Sequence, residues 1–168
     1  SIVYNSSDPE VPAPHRRLQA MKVEEGDFQR DNPNSAAIWH YVGADPEEFE
    51  TTMHRTCGTV AIKNDLLFVV DFSGVVHCVN AQTGEAHWTH DMLSASWASA
   101  LIADDKVYMG NEYGDVLVFA LSAEKELLAT NVMDTAVYTT PIAAGNTIYI
   151  ANRNRVFAIR EGATSESE

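Results

Sequence analysis

The sequence is short of positive charge, of cysteine and of long apolar runs. Eleven Lys and Arg stand against 24 Asp and Glu, a formal net charge of −13. Binding nucleic acid or an anionic membrane needs a cationic surface to displace counterions, so neither partner is expected. No apolar run approaches the roughly 18 to 20 residues of a membrane span. The two cysteines, Cys57 and Cys78, are too few for a disulfide framework. Two buried thiols are the expectation and a single bridge the alternative. Ser1-Ile2-Val3-Tyr4-Asn5 lacks the charged start and long apolar segment of a signal peptide. Sustained helical periodicity is missing too, and no His-Glu-x-x-His or Cys-x-x-Cys is present to hold a metal.

What is there is a repeat. The 168 residues are 45% hydrophobic and 21% charged, an ordinary globular composition with enough chain for a core. The segment from Thr59 to Gly74 lies over Ser99 to Gly114 at a shift of 40 residues without a gap. Asp65 meets Asp105, Phe68 meets Tyr108, Asp71 meets Asn111 and Gly74 meets Gly114. A third copy, from Pro141 to Ile159, follows at a shift of 41 with a turn one residue shorter. Within a copy, short apolar runs (Val60–Ile62, Leu66–Val70, Val75–Val79, Ala86–His90) alternate with Asn, Asp, Ser and Gly turns. Four short antiparallel strands per repeat of about 40 residues predict an all-β propeller of four-stranded blades. The expected organisation is a partial divergent blade with loop insertions at 1–56, blades at 57–96 and 97–137, an incomplete last blade at 138–162 and a disordered tail at 163–168. In the first part, Ile38-Trp39-His40 matches His87-Trp88-Thr89, with strands expected at Ile2–Tyr4 and Arg17–Val23.

Thr83-Gly84-Glu85-Ala86-His87-Trp88 resembles the quinoprotein-type propeller repeat, Ala-x-Asp-x-x-Thr-Gly-x-x-x-Trp. Cys78 stands in for its Ala and Asn80 for its Asp. The next copy lacks Thr-Gly and Trp, and Leu128 is read as the equivalent of Trp88. The resemblance covers roughly residues 36 to 162. It implies a quinoprotein-like ring larger than the blades counted here, and hence that the chain is the C-terminal half of a longer propeller packed against its missing half or another copy. It also implies a periplasmic or extracellular location. Some members are alcohol and sugar dehydrogenases that use pyrroloquinoline quinone (PQQ) and calcium; others are non-catalytic, among them a lipoprotein that assists outer-membrane β-barrel assembly and the sensor regions of bacterial kinases. This sequence has neither the adjacent Cys-Cys pair of many dehydrogenases nor an assignable calcium cluster, so no cofactor and no catalytic residue is expected. The leading expectation is a non-enzymatic scaffold that binds a protein or an extracellular polymer such as a polysaccharide. A fragment of a PQQ- and calcium-dependent dehydrogenase and a kinase sensor domain are the alternatives.

Several residues carry the functional reading. Trp39 and Trp88 read as wedges between blades. Asp71, Asn111 and Asn152 recur at the end of the second strand, where short polar side chains bond their own turns rather than a shared ion. His87 and His90 fall on opposite faces of a strand and make poor joint ligands. The acidic loop from Asp45 to Glu50 reads as a solvated insertion. Cys57, Trp97 and Tyr138 are equivalent, each just before an inner strand, while Glu112, Tyr113 and Arg153 belong to turns between second and third strands. In a propeller both classes lie on one face, around the channel mouth. Aromatics beside Arg and Glu suit recognition, so His54, Arg55, Trp97, Glu112, Tyr113, Tyr138 and Arg153 form the candidate binding set.

Overall fold

The structure, a computed structural model, describes residues 38–162. Residues 1–40 and 41–168 cluster as separate units. Of the first unit only Ile38–His40 is described, and it is irregular chain rather than the expected outer strand. The strands expected at Ile2–Tyr4 and Arg17–Val23, and the tail, lie outside the described residues.

The second unit is all-β. Its first sheet has the order β1 (Ala61–Lys63), β2 (Leu66–Val70), β3 (Val75–Asn80), β4 (Ala86–Asp91). The second repeats it with β5 (Leu101–Ala103), β6 (Lys106–Gly110), β7 (Asp115–Ala120) and β8 (Leu127–Val132). The third holds β9 (Ile142–Ala144), β10 (Thr147–Ala151) and β11 (Val156–Ile159). Every neighbouring pair is antiparallel. These are propeller blades. Val, Ile and Phe favour the strands, and the turns follow from side-chain chemistry. Asn64-Asp65 and Asp104-Asp105 take positive φ in the two-residue turns before β2 and β6, a conformation Asn and Asp tolerate. Gly74 and Gly114 sit at φ +94° and +93° before β3 and β7, where a Cβ would press into the carbonyls of Ser94 and Thr135 of the next linker.

Successive strand residues point to opposite faces, so each blade presents one apolar face to each neighbour. Phe68, Val70, Val76, Cys78 and Trp88 of the first blade meet Val107, Met109, Leu117 and Phe119 of the second. Val116, Met133 and Val137 then meet Ile150, with Tyr108, Ile148 and Phe157 packed alongside. Trp88 is the wedge between the first two blades. Its ring lies 5.9 Å from Phe68 and 5.2 Å from Phe119, and its Nε1–H donates to the Ser122 carbonyl at 3.1 Å.

Two expectations need correction. Leu128 does not occupy the place of Trp88. The ladder sets Trp88 opposite Cys78 and Ala129 opposite Val118, because the turn before β8 is one residue longer than that before β4. Leu128 falls at the bulge and is 44% exposed. The cysteines are unbridged, but only Cys78 is buried; Cys57 lies exposed in the segment before β1. His90 packs its ring on Phe119 at 5.1 Å, and burial, then the Lys125 charge, lowers its pKa. The turn-bonding reading holds at Asn111, whose Oδ1 accepts from Asp115 N–H, and at Asn152, whose Oδ1 accepts from the N–H groups of Asn154 and Arg155.

Candidate functional site

The turns before β3, β7 and β11 gather at one end of the blades with the segments before β1, β5 and β9. A repeated backbone bond fixes each turn to its own blade's entry segment: Phe72 N–H to the Arg55 carbonyl at 2.7 Å, Glu112 N–H to Ala95 at 2.9 Å, and Arg153 N–H to Ala136 at 2.9 Å. Ser96 N–H to Phe72 and Val137 N–H to Asn111 carry the tie across to the next blade. Side chains at these positions are therefore held on a rigid frame although they sit on loops.

Four of the expected residues come together there in one strip. The Arg55 guanidinium lies 4.3 Å from the Phe72 ring centroid, a cation–π distance. Phe72 meets Trp97 edge to face at 4.7 Å and 88°. Trp97 meets Tyr138 the same way at 6.4 Å and 89°. The Trp97 Nε1–H donates to a Glu112 carboxylate oxygen at 3.0 Å, which fixes the indole. Trp97 and Tyr138 remain 44% and 45% exposed. Tyr113, on the same turn as Glu112, is 73% exposed, and its N–H donates to Ser94 Oγ at 3.1 Å. Arg153 is exposed on the corresponding turn of the third blade.

His54 is placed differently. Its ring packs on Phe49 at 4.4 Å, and its Nδ1–H donates to Asp71 Oδ2 at 2.8 Å. Asp71 is fully buried. Its carboxylate also accepts from the backbone N–H of His54 and of Val75, each at 3.0 Å, with His77 Nε2 at 3.5 Å. His77, itself fully buried, accepts the Tyr41 hydroxyl on Nδ1 at 2.9 Å. Burial alone would raise the Asp71 pKa, but the hydrogen bonds from His77, His54 and Val75 outweigh it and hold the carboxyl at about 2. Tyr41 is pushed up to about 12, by burial first and then by the Cys78 and Asp71 charges. The Tyr41–His77–Asp71–His54 chain ties the entry segment to the first blade.

Sequence reasoning missed Phe72, Tyr41 and His77. Phe72 was within reach, since the register makes it the equivalent of Glu112 and Arg153. Calcium, which the dehydrogenase members of the resembling family use, does not fit this site. Hard cations want several converging oxygens. Among the described residues no three His, Cys, Asp or Glu side chains converge on a metal position, and the Asp71 carboxylate is already engaged by N–H donors.

A family model for the outer membrane protein assembly factor BamB matches residues 24–125, more than half of the chain. The chain belongs to the BamB family of PQQ-type repeat β-propellers. Solved structures agree on the fold. BamB from Moraxella catarrhalis superposes with a TM-score of 0.54 at 24% identity, over 62% of this chain and 33% of that one. The quinohemoprotein alcohol dehydrogenase from Comamonas testosteroni gives 0.52 at 18%, over 61% and 18% of the two chains. The quinohemoprotein alcohol dehydrogenase ADHIIG from Pseudomonas putida HK5 gives 0.50 at 17%, over 56% and 16%. The match thus spans about a third of the BamB chain and less of the dehydrogenases. No curated protein matches the sequence.

Proposed function

We propose that the chain is part of a non-catalytic scaffold in or beyond the periplasm, and that it binds a protein through the channel-mouth face. The observation that carries this reading is the Arg55–Phe72–Trp97–Tyr138 strip. It crosses three blades, is held by Glu112 and half exposed, and takes no part in either buried cluster. Rigid, part-exposed aromatics beside Arg are what interface hot spots are made of. Glu112, Tyr113 and Arg153 border the strip and supply polar contacts of both signs. Membership of a family described as an assembly factor supports a protein partner.

The third blade presents a second contact. Its outward face carries Ile142, Tyr149 and Val156, and Val156 is 72% exposed where its equivalent Val116 in the second blade is fully buried. Another blade, from the rest of the propeller or a second copy, is the complement of that face.

A photo-crosslinking residue at Tyr138 or Arg153, and as control at Gln82 on the opposite end, tests the mouth-face reading in a Gram-negative periplasm. The expected result is a discrete protein adduct from the two mouth-face positions alone. Trp97→Ala should abolish the Arg153 adduct while costing less stability than Trp88→Ala. Equal adducts from Gln82, or unfolding by both Trp97→Ala and Tyr138→Ala, would overturn it. Stoichiometric PQQ binding with calcium and alcohol-dependent dye reduction would replace it with a dehydrogenase.

A further inference from the structure

The two inter-blade seams of this chain are built from equivalent positions, yet only one is filled. Between the first and second blades, at the end away from the channel mouth, the Trp88 indole lies between Phe68 and Phe119. Leu66 and Leu121 close the edge, and Lys63 Nζ reaches across to Asp105 at 2.8 Å. Between the second and third blades the register puts Ala129 at the place of Trp88, Ile159 at that of Phe119, Lys106 at that of Leu66 and Glu161 at that of Leu121. Ala103 and Asn146 replace the Lys63–Asp105 bridge.

Every one of these changes removes bulk, an apolar seal or a tie. The result is a cleft of about 800 Å³ walled by Tyr108, Ile148 and Ile159 and rimmed by Asp104, Lys106 and Glu161. That is inside the ~300 to 1,000 Å³ range of small-molecule sites. Its lining is mixed: the apolar faces of Tyr108, Ile148 and Ile159 stand beside the polar groups of Asp104, Lys106, Asn146, Thr147 and Glu161. Gly145, on the rim, has open space where a side chain would project.

We propose that this cleft binds a small aromatic amine: a planar ring of about indole size seated where the first seam holds Trp88, with a cationic arm directed to the rim. The ring is indicated by the internal comparison. Tyr108 offers the wall that Phe68 offers to Trp88, and Ile148 and Ile159 offer the facing aliphatic surface. The cation is indicated by the rim charge. Lys106 is engaged by Asp104, with Nζ 3.0 Å from the carboxylate and 3.1 Å from the carbonyl. Glu161 feels the Lys106 charge but forms no ion pair with it, so the rim carries two carboxylates to one ammonium and the Glu161 carboxylate is the one that meets the amine.

The site is separate from the mouth-face strip, so its test is independent of the proposed scaffold role. The probes are tryptamine, indole and indole-3-acetate, titrated into the chain by NMR with shifts read at Tyr108, Ile148 and Ile159. Tryptamine should bind tightest and indole-3-acetate weakest. Glu161→Gln should weaken tryptamine about fivefold while leaving indole unchanged. Ala129→Trp, which restores the wedge, should raise the melting temperature and remove binding. Should that variant fail to fold, Glu161→Leu, which restores the seal of the first seam, serves instead and should also cut tryptamine binding. Trp97→Ala should leave binding intact. Equal affinity for tryptamine and indole-3-acetate, tryptamine binding undiminished in the wedge or seal variant, or no shift at the three wall residues would each overturn the proposal.

Discussion

Replacing Trp88 by Ala should cost about 4 kcal/mol. A buried Trp contributes roughly 150 to 250 Å². At about 25 cal/mol per Å² this amounts to about 4 to 6 kcal/mol, an upper figure because the unfolded chain already buries part of its surface. Measured truncations of buried Phe and Trp run at about 3 to 5 kcal/mol, since the neighbours close only partly over the gap. Phe68 and Phe119 come from separate blades, so neither can close it without moving a whole sheet. The Ser122 carbonyl also loses its indole donor. For a domain of this size each kcal/mol lowers the melting temperature by about 2 to 4 °C, so the midpoint should fall by about 8 to 16 °C. Far-UV circular dichroism at pH 7 is the assay, because fluorescence would change with the removed chromophore itself. Trp97→Ala, which truncates a half-exposed ring, is the comparator and should cost about 1 kcal/mol. A Trp88→Ala midpoint within about 3 °C of the parent would show that the ring does not hold the seam.

Two further perturbations test the network and the turns. Asp71 has a folded pKa of about 2 against an ordinary 3.8, so the folded state binds its proton less readily than the unfolded one. Its contribution, about 2 kcal/mol, is fully present above pH ~4 and vanishes as the pH falls towards 2. Urea midpoints of the parent should drop across that window, and those of Asp71→Asn should start lower and flatten; parallel curves would mean that Asp71 does not carry the acid sensitivity. Gly74→Ala places a Cβ against the Ser94 carbonyl at φ +94° and should lose about 2 to 3 kcal/mol in chemical denaturation, whereas an unchanged midpoint would exclude that close approach.

The blade pattern was legible in the sequence because it is local. Turn residues such as Asn64-Asp65 and Gly74 recur at a fixed interval, and the intervening runs have strand period and strand length. The same register brought Arg55, Trp97, Glu112 and Tyr138 to one end of the blades, since position within a repeat determines which end of a blade a residue occupies. Tyr41, His54, Asp71 and His77 could not be grouped that way. They belong to different positions within a repeat, and only the fold of the entry segment back onto the first blade makes them neighbours. The misplaced Leu128 shows the limit most sharply. One extra residue before β8 shifts the ladder by one, and a strand residue shifted by one points to the opposite face. Repetition in the chain establishes that seams exist. Which seam is filled by Trp88, and which is left open between Tyr108 and Ile159, depends on strand pairing and on what stands across from each residue, and that is settled only when the blades pack.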